Sequence, residues 1–121
     1  MIATDTERNA LLVPMRTGRG LNDRMHHMER HRVNKGEQEL VLWSLALSRA
    51  KRHAPCVVRL TRVAPGTRPL DDDNLRGALK NVRDAVAKWL GIDDGDSRVT
   101  YAYKQERGPW GVRIEVNEVT P

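Results

Sequence analysis

The chain has 121 residues, 39% hydrophobic and only 4% aromatic, with 21 Lys and Arg against 16 Asp and Glu. That length predicts one domain with a single modest core, and no apolar run approaches the roughly 18 residues of a membrane-spanning helix, which sets membrane and secretory classes aside. A lone Cys56 closes no intramolecular disulfide and builds no zinc site, predicting an intracellular chain, while a net charge of +5 and a pI near 9.9 suit a polyanionic partner.

In chain order, Ala10 to Met15 is a short apolar run closed by Pro14, the pattern of an edge strand. Arg16, Arg19, Arg24, Arg30, Arg32 and Lys35 then crowd one stretch with His26, His27 and His31, the natural electrostatic footprint of the chain. Asn34 followed by Glu37 resembles a capping box, after which Leu40, Val41, Trp43, Leu45 and Leu47 recur at helical spacing. This predicts a helix over about 35–52, with Lys51 and Arg52 at its negative end. Its apolar stripe is wide enough for both a core contact and a subunit contact.

Residues 56–63 are β-branched and partly alternating, a strand ended by Pro65-Gly66. Leu75, Leu79, Val82, Val86, Trp89 and Leu90 then form the clearest helical face in the chain, and Gly91 is its expected left-handed terminator. Val99, Tyr101 and Tyr103, then Val112, Ile114 and Val116, alternate with polar residues and predict two half-buried strands. Gly108 to Gly111 between them predicts an antiparallel hairpin. The sum is an α/β fold: a small mixed β-sheet with two main helices packed on it, one domain over residues 1–121.

The chemistry concentrates in Asp71-Asp72-Asp73 and in Asp93-Asp94-Gly95-Asp96. Asp72 or Asp73 suits a helix N-cap, and the second group reads equally well as a solvated turn. Capping explains one or two acids but not three. Like charges a few ångströms apart repel by roughly 1 kcal/mol in water and by several at an effective dielectric near 20, so a cluster calls for a cation, and hard oxygen donors select Mg²⁺ or Mn²⁺. A helix over about 73–90 is roughly 27 Å long, so the two groups meet only if the loop after it folds back.

Arg-Pro-x-Asp-x-Asp-Asn opening a helix (Arg68 to Asn74), then Gly-hydrophobic-Asp-Asp before a strand (Gly91 to Asp94), resembles the RusA-type Holliday junction resolvases. An N-terminal strand, Asn22 with basic and His residues after it, a helix and a hydrophobic strand precede the motif in that family as well. The resemblance implies a RusA-like fold and a homodimeric, Mg²⁺-dependent endonuclease that nicks four-way or other branched DNA in recombination and repair, in a bacterial or phage-infected cytoplasm. Mn²⁺ would be the substitute ion.

Position by position, it implies Asp71, Asp73 and Asp94 as metal ligands and catalytic residues, with Asp72 as a cap and Asp96 a weaker possibility. The family places a catalytic Lys where this chain has Gly77; Lys80, on the same predicted helix face as Asp73, is the candidate replacement, against its alternative as an ion-pair partner of Asp84. Arg19, Arg24, His27, Arg30, Arg32 and Arg68 are the candidate DNA contacts. His27 and His31 have metal-ligand spacing but Arg-rich surroundings, and Cys56 reads as a core residue rather than a nucleophile. Trp43 and Trp89 read as packing residues, and Trp110 as either a base wedge or a turn residue folded over the sheet. Two other readings remain: a DNA-binding protein that keeps the resolvase fold without turnover, and a structural protein whose acids are only caps and turns.

Overall fold

Strand β3 (Cys56–Ala64) organises the molecule because its residues are buried nearly without interruption, as in a strand with neighbours on both sides. The computed structural model describes residues 3–5, 9–18, 27–93 and 95–119. Around β3 stand β1 (Ala3–Asp5), β2 (Ala10–Val13), β4 (Val99–Arg107) and β5 (Gly111–Glu118), in the order β1-β2-β5-β3-β4. All pairings are antiparallel except β3 with β4, which run parallel and are joined by a helical crossover. The chain is thus a small single-domain mixed α/β protein.

One sheet face is apolar, as the period-two pattern requires. Leu11 and Val13, Val112, Ile114 and Val116, and Cys56, Val58 and Leu60 line it and pack under helices α1 (His27–Leu47), α2 (Asp72–Ala78) and α3 (Lys80–Leu90). The opposite face carries charge pairs such as Arg113 with Glu106 at 3.0 Å and Arg59 with Glu115 at 4.0 Å.

Several expectations need correction. The apolar run at 10–13 is not an edge strand, because β1 lies outside it and Pro14 falls just beyond its end. Strands β4 and β5 form no hairpin; β3 runs between them, and Gly108 to Trp110 bridge its end. That bridge is tight: Gly108 N–H donates to the Ala64 carbonyl at 3.0 Å, and a Cβ on Gly108 would stand 2.9 Å from Val63 Cγ1.

Helix α1 begins earlier and ends earlier than the capping pattern implies. Asn34 Oδ1 and Glu37 Oε2 lie inside it and accept from Asn81 Nδ2 at 2.9 and 2.7 Å, so their polar atoms serve a contact with α3 rather than a cap. Burial pushes the Glu37 carboxyl pKa up, and the Asn81 bond opposes that. Lys51 and Arg52 follow the helix; Arg52 donates to the Trp89 carbonyl and stacks on that ring at 5.1 Å. Of the α1 stripe expected to serve core and subunit contacts, Val41 and Leu45 are buried in the core, while Trp43 is 67% and Leu47 72% exposed.

The second predicted helix is two, giving three helices among the described residues, with the break at Leu79 (φ −100°, ψ 4°). Leu75 before the break, Leu79 at it, and Val82, Val86 and Trp89 after it all reach the core. Gly91 ends α3 with φ 70°, the left-handed terminator expected there.

Candidate functional site

Leu70 fixes the start of the acidic run. Its N–H donates to Gln105 Oε1 at 3.0 Å and its carbonyl accepts from Gln105 Nε2 at 2.8 Å, clamping the loop to the C-terminal part of β4. Asp71 follows as the N-cap of α2, correcting the expectation that Asp72 or Asp73 would cap. Its Oδ1 accepts from Asn74 N at 2.9 Å and its Oδ2 from Asn74 Nδ2 at 3.1 Å. Asp71, Asp72 and Asp73 are all exposed.

Asp93 and Asp96 lie at the other end of β4. The Asp96 carbonyl accepts from Val99 N, and its carboxylate grips Arg98 through Nε at 3.1 Å and Nη2 at 2.9 Å. These bonds hold the Asp96 pKa down at about 2. Val99 and Gln105 are roughly 20 Å apart along the strand, so Asp93 and Asp96 are not brought to Asp71 and Asp73. Asp94 lies outside the described residues. Among the described residues, no three His, Cys, Asp or Glu side chains converge as a metal site.

Lys80 is exposed and opens α3, beyond the break at Leu79, so the continuous helical face expected to join it to Asp73 is interrupted. Asp84, its alternative partner, has the Arg83 guanidinium at 3.8 Å.

Helices α1 and α3 run side by side, Asn34 and Glu37 meeting Asn81 and Gln38 meeting Lys88. The turns of α1 ahead of Asn34 therefore extend past the start of α3. They carry exposed His27, Arg30, His31 and Arg32, with His27, Met28, His31 and Arg32 lining an open hollow. Arg19 and Arg24 lie outside the described residues. Cys56 is buried at the start of β3, and burial pushes its thiol pKa up, as for a core residue.

A second hollow, of about 190 Å³, opens where β3 and β4 end, beside the Asp71 loop. Arg62, Arg68 and Arg107 line it together with Thr67 and Gln105. Arg62 was missed in the sequence although the signal was there: Cys56, Val58 and Leu60 face the core, and period two puts Arg62 in the same row. Trp110 is half-buried, its ring centroid 5.2 Å from the Arg16 and 5.4 Å from the Arg62 guanidinium carbon, so it is folded over the sheet end.

No family model and no curated protein matches the chain. Among the described residues, no helix is long and apolar enough to cross a membrane.

Proposed function

We propose that the chain is a Mg²⁺-dependent endonuclease of branched DNA, of the RusA-like kind its motifs resemble, working as a homodimer in the cytoplasm. The observation that carries this reading is the run of exposed carboxylates from Asp71 to Asp73 at the carboxyl ends of the parallel β3 and β4 strands. Open α/β sheets bind ligands in that position. Arg68 stands beside the run, and Arg30 and Arg32 are exposed on the first turns of α1.

The donor set fits a hard divalent ion, which is commonly held by one or two carboxylates and keeps several waters. Asp71 and Asp73 would hold it, Asp94 being the third ligand implied by the resemblance. Asn74 orients Asp71 through two hydrogen bonds, the outer support that ligating carboxylates need. When bound, such an ion lowers the pKa of a water and offsets charge on a phosphodiester under attack. The protein's part is to hold the DNA backbone through its arginines and to offer the Lys80 ammonium to the developing charge.

The second copy has a surface on α1. Val33, Leu40, Trp43 and Leu47 are exposed and fall within about 80° of helix circumference, adjoining the face that buries Val41, Ser44 and Leu45.

The test is nicking of a four-way junction with Mg²⁺ by wild type, Asp73→Asn and Lys80→Ala. Cutting by wild type alone, with Asp73→Asn still binding, is the expected result. Tight binding with no cutting in any sample would leave the second reading, a DNA-binding protein without turnover. That reading is favoured by Gly77 in place of the family lysine and by the distance of Asp93 and Asp96 from Asp71.

A further inference from the structure

Arg62 occupies a position that a core side chain would normally fill, and only 8% of it is exposed. Burying a guanidinium is costly unless its charge and its N–H groups are matched. Arg62 is matched only in part. Its Nε donates to the Thr17 hydroxyl at 3.0 Å and its plane lies by Trp110. Among the described residues no carboxylate lies within 4.0 Å of it, and no other acceptor takes its remaining N–H groups. Glu106, the one acid on the hollow among the described residues, is already engaged: both its oxygens accept from Arg113 Nη1 at 3.0 Å.

We propose that the hollow at the ends of β3 and β4 is a phosphate-binding pocket, with buried Arg62 as its floor and Arg68 and Arg107 as its rim. Three guanidiniums in one hollow with no free carboxylate are matched by a compact anion carrying several acceptor oxygens, and the guanidinium fork suits phosphate. The hollow far exceeds the roughly 10–15 Å³ that one water needs. It is also formed in advance, because Gln105 clamps the Leu70 loop on one side and the Trp110 bridge holds Arg62 on the other. Burial lowers the Arg62 pKa, consistent with a cation still lacking its counter-charge.

A DNA backbone phosphate is the source that agrees with the proposed function, and on that point alone the inference rests on that reading. Free phosphate offers the same chemistry, so the experiment separates the two. Affinity for a fluorescent four-way junction is measured against NaCl concentration, without divalent metal, for wild type, Arg62→Met and Arg107→Gln. Inorganic phosphate is titrated separately against Trp110 fluorescence, taken as the difference from Trp110→Phe.

Arg62→Met is expected to lose roughly tenfold in junction affinity and to flatten the salt slope by about 1. It should abolish the phosphate response and lower the unfolding temperature by only a few degrees, since one hydrogen bond, to Thr17, is given up. Arg107→Gln, an exposed rim change that does not threaten the fold, should flatten the slope likewise and decides the matter if Arg62→Met does not fold. Unchanged affinity and slope in the variants that fold, with no phosphate response, would overturn the pocket while leaving the nuclease reading intact. An Arg62-dependent phosphate response without any DNA affinity would support the pocket, with free phosphate as its ligand, and defeat the nuclease reading instead.

Discussion

Asp71 caps α2 and, in the proposed function, holds the metal ion, two tasks that substitution can separate. As the N-cap of α2 it accepts two hydrogen bonds from Asn74, one from the backbone and one from the side-chain amide. Loss of an N-cap costs about 1 kcal/mol, and loss of the acceptor for the part-buried amide about as much again. Asp71→Ala should therefore destabilise the protein by about 2 kcal/mol. At about 2.1 cal/mol/K per residue, the unfolding entropy of 121 residues is about 0.25 kcal/mol/K, so Tm should fall by roughly 8 °C. Asp71→Ser keeps the backbone cap alone and should lose about half of that. Both changes remove the carboxylate, so both should lose Mg²⁺-dependent nicking. Calorimetry on the three proteins, paired with the junction assay, reads the two tasks separately. Equal Tm values for Ala and wild type would refute the capping geometry, whatever the nicking assay shows.

Other outcomes follow from the charges and from α1. The Asp96 carboxyl, held at about 2 by Arg98, should titrate by NMR near that value, and Arg98→Ala should return it towards the ordinary carboxylate range. Because the folded pKa lies below the unfolded one, this pair supports the fold above the unfolded pKa, and its contribution is lost as pH falls through the folded one; acid unfolding of Arg98→Ala should lack that component. On α1, Trp43→Glu with Leu47→Glu should convert a dimer into the 13.8 kDa protomer in light scattering. A wild-type protomer at micromolar concentration removes the dimer, and a dimer indifferent to both changes removes α1 as its surface.

The parts of the fold legible in the sequence are those set by short-range pattern. The face made by Val82, Val86 and Trp89 repeats at helical spacing and ends on Gly91, and the alternation in β4 and β5 marks their inward rows. The strand order is not written at that range. Residues 99–103 and 112–116 look like hairpin partners because they are close in the chain, yet both pair with β3, whose demand for two neighbours is a property of the whole sheet. Asn34 and Glu37 misled for a related reason: a capping pattern names two polar side chains but cannot say that Asn81, far along the chain, will claim them. In the site, the motif correctly marked Asp71 to Asp73 as the opening of a helix. Where the second acidic group would stand depended on the path of α3 across the sheet. Arg62 was legible only by treating a charged residue in an apolar row as a signal.

Because three residues carry the chain over the end of β3, the last two strands cannot close on each other and find their partners far back in the chain. Among the described residues, β4 pairs with residues 56–64 alone, whereas β5 lies between these and residues 10–13, all across long sequence separations. Assembly of this sheet is therefore closed by its least local contacts, which places the chain among slower-folding small domains. Any fragment lacking β3 leaves β4 unmated and one side of β5 open, the sticky edges that invite aggregation.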